Sequence, residues 1–304
     1  MGNVGTPVCV ALGVAVLTAI GGVAYTLWSH RKRRVPTTLL DSNVKVPLRL
    51  VDKETVTHNT RRFRFALPTP KHCLGFAVGQ HIYLSAKIDG SLVVRPYTPV
   101  SSNADLGYVD LVIKIYKKGV HPKFPEGGKM SQYLDNLRNG DTVDFKGPDG
   151  KLLYQGKGSI AISSGKTSAP KTQKVSRLGL IAGGTGITPV LQLIRQITKD
   201  RNDHTSCHLI FANETEEDIL LRGELEDLQS RFPTKLKIWY TLSNPPDGWG
   251  YSKGHITDDM IRTQLPGPSD DTMVLMCGPP PMIENACIPN LHKLGYAQDM
   301  MFAY

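Results

Sequence analysis

The sequence is poor in the residues that build disulfide frameworks, metal sites and nucleophilic active sites. Its five cysteines are widely spaced, with no Cys-x-x-Cys pair, which argues against a disulfide scaffold and a zinc site. Of its nine histidines only His204 and His208 are at metal-ligand spacing, without a second such pair to complete a site, and no Gly-x-Ser-x-Gly motif is present. Metal-dependent and serine-nucleophile chemistry are therefore not predicted.

The chain also lacks internal repeats and low-complexity segments, so its 304 residues predict two globular domains with real cores. The formal net charge is +9, but four positive charges belong to one run, residues 31–34. The remaining excess is too modest to predict nucleic-acid binding, and an acidic protein partner fits better.

A long uncharged run near the N-terminus predicts a membrane anchor. Residues 8–27 carry no charged side chain, and a helix rising about 1.5 Å per residue would let them cross a hydrocarbon core of about 30 Å. The basic run 31–34 follows, and the positive-inside rule then places the rest of the chain in the cytosol. A cleaved signal peptide is the alternative, although residues 1–7 lack its basic residue. Gly2 and Thr6 match a short, unspecific myristoylation pattern.

Apolar residues that alternate with period two predict antiparallel strands in the first folded region. The clearest cases are residues 81–88 and 108–116, and Asp89-Gly90 predicts a hairpin turn. Strands and glycine breaks at this spacing are typical of a small β-barrel. A glycine-rich turn, 127–128, followed by apolar residues at helical spacing predicts one helix within it.

From residue 178 onward, apolar runs alternate four times with helical stretches, which predicts a doubly wound parallel sheet. The predicted strands are 178–182, 207–212, 236–242 and 273–277, and the predicted helices lie near 189–199, 220–231, 257–265 and 281–293. Ligands of such sheets bind beyond the carboxyl ends of the strands. The residues predicted there are 183–186, 213–214, Ser243 and 277–280.

The predicted organisation has six segments. They are a short tail (1–7), a transmembrane anchor (8–27), a basic tether (28–43), an antiparallel β-barrel (44–155), a linker (156–175) and an α/β domain (176–304).

The stretch 179–189, Gly-Leu-Ile-Ala-Gly-Gly-Thr-Gly-Ile-Thr-Pro, predicts a buried strand that ends in a phosphate-binding turn. Thr188 is predicted to cap the next helix, and Pro189 suits its first position. Glycines let phosphates approach the backbone, and a helix N-terminus favours their charge. The alternative is a plain strand–turn–helix junction, because 184–186 lacks the third glycine of the usual dinucleotide motif.

A second motif, Arg95-Pro96-Tyr97-Thr98-Pro99, follows an apolar run and combines groups that suit a flavin nucleotide. The guanidinium can pair with phosphate, the phenol ring can lie against the isoalloxazine, and the hydroxyl can bond a ring heteroatom. The alternative is a purely structural strand end.

These motifs together resemble the NADH-cytochrome b5 reductases, within the ferredoxin reductase-type FAD and nicotinamide enzymes. The motifs that carry the resemblance are Arg95-Pro-Tyr-Thr-Pro, His121-Pro-Lys-Phe-Pro, Gly127-Gly-Lys-Met-Ser, Gly183-Gly-Thr-Gly-Ile-Thr-Pro and Cys277-Gly-Pro-Pro-Pro-Met. The resemblance implies an FAD-binding barrel and an NAD-binding α/β domain. The implied FAD contacts are Arg95, Pro96, Tyr97, Val112, Lys114, Lys129, Met130, Ser131 and Thr188, with Thr98 near the reactive edge of the flavin. The implied nicotinamide dinucleotide contacts are Gly183, Gly184, Thr185, Gly186, Ser243, Cys277, Gly278, Pro279 and Met282.

The resemblance further implies a membrane-anchored enzyme, on the endoplasmic reticulum or the outer mitochondrial membrane, that passes a hydride from NADH to FAD and single electrons to the haem of cytochrome b5. Lys114 would supply positive charge, and Cys277 would shape the nicotinamide site rather than act as a nucleophile. Lys45, Lys129 and Lys166 are candidates to face the acidic cytochrome. A quinone or another haem protein as acceptor, and a non-catalytic nucleotide-binding scaffold, are the alternatives.

The chain departs from the family pattern at Ser243, where these reductases usually carry an aspartate that repels the extra phosphate of NADPH. A hydroxyl removes this like-charge cost, so a weaker preference for NADH over NADPH is expected. His255 also replaces a usual aromatic residue near the adenine.

Overall fold

The chain is described by a computed structural model over residues 35–120, 122, 124–165 and 169–304. The predicted anchor, 8–27, and two residues that the sequence singled out, His121 and Lys166, lie outside this part. Within it, no helix is both long and apolar enough to cross a membrane.

The first domain is an antiparallel sheet with one helix. Its strands are β1 (Val46–Thr57), β2 (Thr60–Ala66), β3 (His81–Ile88), β4 (Ser91–Tyr97), β5 (Tyr108–Lys114) and β6 (Thr142–Asp149), and its helix is α1 (Lys129–Asn136). The order is β4-β3-β6-β1-β2-β5, so in the described residues this hydrogen-bonded ladder has two ends. The antiparallel sheet is confirmed, whereas a hydrogen-bonded closure into a barrel is not seen.

Side-chain alternation builds this sheet as the pattern predicts. Phe63 and Phe65 are fully buried, and the intervening Arg64 instead pairs with the carboxylate of Asp110 at 2.7 Å. Between β3 and β4, Asp89 and Gly90 have φ values of 47° and 76°. A two-residue type I′ hairpin turn requires positive φ at both of these positions. The hairpin prediction is therefore confirmed.

The segment 156–175, predicted as a linker, contains two strands. Leu152–Gly156 (β7), Ser159–Ile162 (β8) and Lys171–Lys174 (β9) form a three-stranded antiparallel sheet. Its first hairpin turns at Lys157 and Gly158, whose φ values are 51° and 76°. The sequence pattern did not predict this hairpin because its polar lysine–glycine turn interrupts an already weak apolar alternation. The predicted barrel end at residue 155 lies inside β7.

Part of the predicted tether, 28–43, also packs on the first domain. The backbone N–H of Thr38 donates to the carbonyl of Cys73, and that of Leu39 donates to Leu74, both at 2.9 Å. Leu39 is buried in the domain core. Two adjacent leucines, Leu39 and Leu40, in a polar stretch show no periodicity, so the sequence pattern missed this contact.

The second domain is a six-stranded parallel sheet covered by helices. Its strands are β10 (Arg177–Gly183), β11 (Ser206–Asn213), β12 (Leu236–Leu242), β13 (Ser252–Lys253), β14 (Thr272–Cys277) and β15 (Met301–Ala303). Its helices are α2 (Ile187–Lys199), α3 (Arg222–Arg231), α4 (Asp258–Gln264) and α5 (Ile288–Lys293), with a π-helical segment, Ile283–Cys287, before α5. The doubly wound sheet is confirmed. Strands β13 and β15 were not predicted because they are too short to show a pattern.

The central strand β10 is buried on both faces. Leu180 faces the core shared with α2 and α3, whereas Ile181 faces the core shared with α4 and α5. The strand order β13-β12-β11-β10-β14-β15 places β11 on one side of β10 and β14 on the other. The carboxyl ends of β10 and β14 therefore form the switch point where such sheets bind ligands.

Helix α2 joins the two domains. Val100 and Val112 of the antiparallel domain lie in the same hydrophobic cluster as the buried face of α2. The backbone N–H of Gly79 donates to Oε1 of Gln192 at 2.5 Å, and the Arg195 guanidinium donates to the carbonyl of Val100. Because α2 starts directly after the glycine turn, these contacts also orient that turn relative to the antiparallel domain.

A buried polar network attaches the three-stranded sheet to the parallel domain. The carboxylate of Asp203 is inaccessible to solvent and accepts from the Tyr154 hydroxyl at 2.6 Å and the Lys157 N–H at 2.8 Å. Burial alone would raise the pKa of Asp203, but the hydrogen bonds from Tyr154, Thr205 and the backbone hold this pKa below its ordinary value.

We expect Tyr154→Phe to lower the free energy of unfolding by about 1.5–3 kcal/mol, because it removes a hydrogen bond to a buried charge. Since the pKa of Asp203 is depressed in the folded state, this stabilisation is present above the ordinary carboxyl range and is lost as the pH falls through it. Urea unfolding at neutral and acid pH measures both effects.

The matched control is Tyr83→Phe, whose hydroxyl donates to the exposed Asp149 at 3.4 Å. It is expected to cost less than about 0.5 kcal/mol. Equal losses in the two variants would contradict the importance of the buried network.

Candidate active site at the strand ends

The glycine turn follows β10 directly. Gly184–Gly186 form a single turn of 3₁₀ helix, and α2 begins at Ile187 with Gly186 as its N-cap. The prediction that Thr188 caps the helix is wrong, because this hydroxyl is already inside the first turn and donates to the Thr185 carbonyl at 3.1 Å. No side chain caps the turn Gly184–Gly186 or α2. Because the N–H of Ile187 already donates to the carbonyls of Gly184 and Thr185, an anion would bind the N–H groups of the turn itself.

The turn lies directly against the end of β14. A Cβ built on Gly186 would lie 2.0 Å from the carbonyl oxygen of Cys277, and one on Gly183 would lie 2.8 Å from Sδ of Met282. A Cβ on Gly278 would lie 3.1 Å from the backbone N of Gly183. The structure thus brings together the residues that the sequence predicted at the ends of these two strands.

Cys277, the last residue of β14, is partly exposed beside the glycine turn. Burial raises the pKa of its thiol to about 11, so the side chain is an uncharged thiol at neutral pH. The C-terminal Tyr304 lies beside it, since its backbone N–H donates to the Met276 carbonyl at 2.9 Å, and it remains 38% exposed. Tyr304 was missed by the sequence argument because β15 was not predicted.

Ser243 is exposed at the end of β12, two strands away from the glycine turn. Its backbone N–H donates to the carbonyl of Asn213, the last residue of β11, at 3.1 Å. Ser243 is therefore placed at the far end of the same row of strand ends. A dinucleotide that spans this row would reach from Cys277 to Ser243.

The antiparallel domain presents the second predicted motif at the end of β4. Arg95 and Pro96 are exposed, and Tyr97 and Thr98 are partly buried. Burial raises the pKa of the Tyr97 phenol, which the neighbouring Arg95 lowers and Tyr116 raises by smaller amounts. The Arg95 guanidinium donates to the carbonyl of its neighbour Val94 at 2.7 Å, which leaves further N–H groups for a phosphate.

Helix α1 supplies an uncapped N-terminus to this domain. Gly128 is its N-cap, with no side-chain cap, and Lys129 is exposed. The side chain of Met130 is buried in the core, and the hydroxyl of Ser131 donates to the Gly128 carbonyl at 3.0 Å. Met130 and Ser131 can therefore meet a cofactor through their backbone N–H groups.

Two predicted FAD residues lie at the junction of the domains. Val112 is buried in the core that both domains share. Lys114 ends β5, which packs against the turn Gly184–Gly186, and its ammonium lies 3.6 Å from the Asp218 carboxylate. Asp218 was missed by the sequence argument, although Thr215-x-x-Asp218 matches a capping box, which the structure confirms.

A glycine turn beside a partly exposed thiol in the parallel domain, and an arginine–tyrosine–threonine surface in the antiparallel domain, fit the class of flavin- and nicotinamide-dependent oxidoreductases. Residues 47–154 match the family model "Oxidoreductase FAD-binding domain", and residues 180–287 match "Oxidoreductase NAD-binding domain". NADH-cytochrome b5 reductase 1 of Homo sapiens and of Bos taurus are each 60% identical over 100% of both chains. The chain belongs to the NADH-cytochrome b5 reductase family.

Other relatives agree with this assignment. NADH-cytochrome b5 reductase 3 of Rattus norvegicus is 58% identical over 88% of this chain and 89% of its own. Among solved structures, the cytochrome b5 reductase domain of Ulva prolifera nitrate reductase matches with a TM-score of 0.82 and 40% identity, over 88% of this chain and 100% of that one. The comparisons confirm the resemblance, an FAD-dependent oxidoreductase, and FAD and NADH as cofactors.

We expect Gly186→Ala to disrupt the crevice, because its Cβ would meet the backbone of Cys277, which has no rotamer to change. The expected result is a loss of at least about 2 kcal/mol of stability or a tenfold weaker affinity for NAD⁺. Thermal unfolding and calorimetric titration measure the two.

Gly223→Ala is the matched control, since nothing lies within 4 Å of its Cβ position and the residue is helical in α3. It is expected to be neutral or slightly stabilising. Wild-type stability and NAD⁺ affinity in Gly186→Ala would contradict the claim that Gly186 packs too closely against the Cys277 backbone for a side chain.

Cys277 is expected to resist alkylation near neutral pH. A thiol pKa of about 11 leaves a thiolate fraction roughly 100-fold below that of a free cysteine, and since a more basic thiolate is also more nucleophilic, iodoacetamide should label it at least about tenfold more slowly. The rate should rise as the pH approaches 11. Mass spectrometry of the Cys277 peptide follows the reaction, and rapid labelling at pH 7 would show a reactive thiolate instead.

Proposed function

We propose that this chain is a membrane-anchored enzyme that passes electrons from NADH through FAD to the haem of cytochrome b5. The observation that carries the proposal is that the glycine turn 184–186 contacts both β5, the strand of the antiparallel domain that ends at Lys114, and the backbone of Cys277. The names of the relatives at 60% identity support the acceptor.

The antiparallel domain is proposed to hold FAD. Arg95 and the free N–H groups of the first turn of α1, together with Lys129, suit the pyrophosphate. Tyr97 and Pro96 offer flat apolar surface, and Thr98 a hydroxyl at the reactive edge. Val112 and Thr188 line the junction, where both side chains are buried at the boundary of the domains.

The parallel domain is proposed to hold NADH across its strand ends. Gly183, Gly184, Thr185 and Gly186 bring backbone close to the pyrophosphate, and the uncapped α2 favours its charge. On the nicotinamide side, the surface is formed by Cys277, Gly278, Pro279 and Met282.

The chain has to position the two cofactors, exclude water and compensate negative charge. Bound FAD supplies the conversion of a two-electron hydride donor into single electrons. Cys277, as a neutral thiol, fills space beside the nicotinamide and takes no proton. Lys114 places a cation where the domains meet, which favours anionic groups of either cofactor. No acid–base residue is required for these steps.

Basic side chains on the surface are proposed to meet the acidic cytochrome. Lys129 is exposed. Lys45 lies 3.5 Å from Asp144, so its charge is partly compensated, and Lys166 lies outside the described residues. Complementary fields speed encounter and weaken with salt. The anchor is proposed to be residues 8–27, in the endoplasmic reticulum or the outer mitochondrial membrane.

The full chain purified in detergent tests this proposal. It is expected to be yellow, to be bleached by NADH, and to reduce added cytochrome b5 at a rate that falls as the ionic strength rises. Bleaching without reduction of the cytochrome, with a quinone or another haem protein accepting the electrons, would replace the proposed acceptor. A rate that ignores salt would count against docking by these charges.

Ser243 is expected to permit NADPH. Ser243→Asp should raise the ratio of kcat/KM for NADH over NADPH by at least about tenfold, because a carboxylate would face the extra phosphate. Ser243→Asn has the same shape without the charge and should leave the ratio near the wild-type value. A ratio unchanged in Ser243→Asp would remove Ser243 from the specificity account.

A further inference from the structure

Asp218 is a buried carboxylate at the boundary of the two domains. It ends the 3₁₀ turn Glu216–Asp218 that follows β11, and only 8% of the residue is exposed. Its two oxygens have different partners. Oδ2 accepts from the Thr215 N–H at 3.2 Å and the Thr215 hydroxyl at 3.0 Å, while Oδ1 faces the antiparallel domain.

Across the boundary, Oδ1 lies 3.6 Å from Nζ of Lys114 and 3.4 Å from Nδ2 of Asn59. The imidazole of His58 is 4.0 Å away, on a largely exposed side chain. The carboxylate is therefore fixed by its own turn through one oxygen and offers the other to the lysine. Burial would raise the pKa of Asp218, but Lys114 and the Thr215 donors hold this pKa below its ordinary value, so the group is charged.

Lys114 needs such a partner to have a defined position. A lysine ammonium on a four-carbon stem has many rotamers, and its freedom opposes any single contact. The lysine is the last residue of β5, and this strand contacts the turn Gly184–Gly186, which leads into the anion-attracting N-terminus of α2. An ammonium held at this point adds to the same field.

We propose that Asp218 is a positioning residue that holds the Lys114 ammonium in one place at the domain boundary, at the end of the strand that contacts the glycine turn, so that an arriving nicotinamide dinucleotide meets a cation already in place. The inference rests on the role proposed above for Lys114. Asp218 has two opposing effects, since its negative charge repels the phosphates while its contact orders the lysine. We expect the ordering of Lys114 to affect the affinity more than the repulsion of the phosphates does.

The test is the affinity of the FAD-loaded full chain for NAD⁺, measured by calorimetry without turnover. Asp218→Asn is expected to raise the Kd about fivefold to tenfold, within the usual coupling of contacting residues. The rate of flavin reduction at saturating NADH should stay within about twofold, so KM changes and kcat does not. Asp218→Glu should recover part of the affinity.

A double-mutant cycle separates positioning from a local structural effect. In a Lys114→Met background, Asp218→Asn should change the Kd by less than about twofold. Thr215→Val removes a hydrogen bond to the Asp218 carboxylate without changing its charge, so it should raise the Kd for NAD⁺ by about twofold to threefold. The same variant replaces Asp218→Asn in the test if that protein does not fold. Asp271→Asn breaks the ion pair with Arg177 at the amino ends of the strands, on the far side of the sheet from the glycine turn. It should leave the Kd unchanged.

Tighter NAD⁺ binding by Asp218→Asn, or an equal loss with and without Lys114, would overturn the inference. These outcomes are distinct from failure of the proposed function. That failure would appear in the wild-type chain itself, as absence of bleaching by NADH or of cytochrome reduction. An unchanged Kd in Asp218→Asn, with wild-type binding intact, would remove only the role of Asp218.

Discussion

The site depends on the contact between two neighbouring strand ends. Gly186 lies so close to the Cys277 carbonyl that no side chain fits between them, and Gly183 and Gly278 are similarly constrained. Dense packing leaves this contact little freedom to adjust. It fixes the glycine turn and the Cys277 thiol relative to each other, so the surface proposed for the dinucleotide is formed before any cofactor binds.

The same turn also controls the relation between the domains. Its last glycine is the N-cap of α2, and α2 carries Gln192 and Arg195, which bond the antiparallel domain. Lys114 and Asp218 add a charged contact at the same boundary. Placing one cofactor surface against the other is thus a consequence of one helix and its N-terminal turn, rather than of a separate hinge.

The sequence predicted those parts that local chemistry decides. Asp89-Gly90 demands a hairpin and forms one, and the glycine turn ends its strand as expected. Thr188 is not the cap because α2 begins at Ile187 with Gly186 as its N-cap, so Thr188 already lies in the first turn. Asp218 could be recognised as a local cap, but its pairing with Lys114 depends on tertiary contacts between segments far apart in the chain. The strands in 156–175 and Tyr304 escaped because their patterns are too short.

The most direct test of this account is the crystal structure of the FAD-loaded chain with NAD⁺ bound. We expect the dinucleotide phosphates on the backbone N–H groups of 184–186, with the nicotinamide between Cys277 and Thr98 and the adenosine end near Ser243. Phosphates bound elsewhere, such as near Arg177 at the amino ends of the strands, would contradict this account.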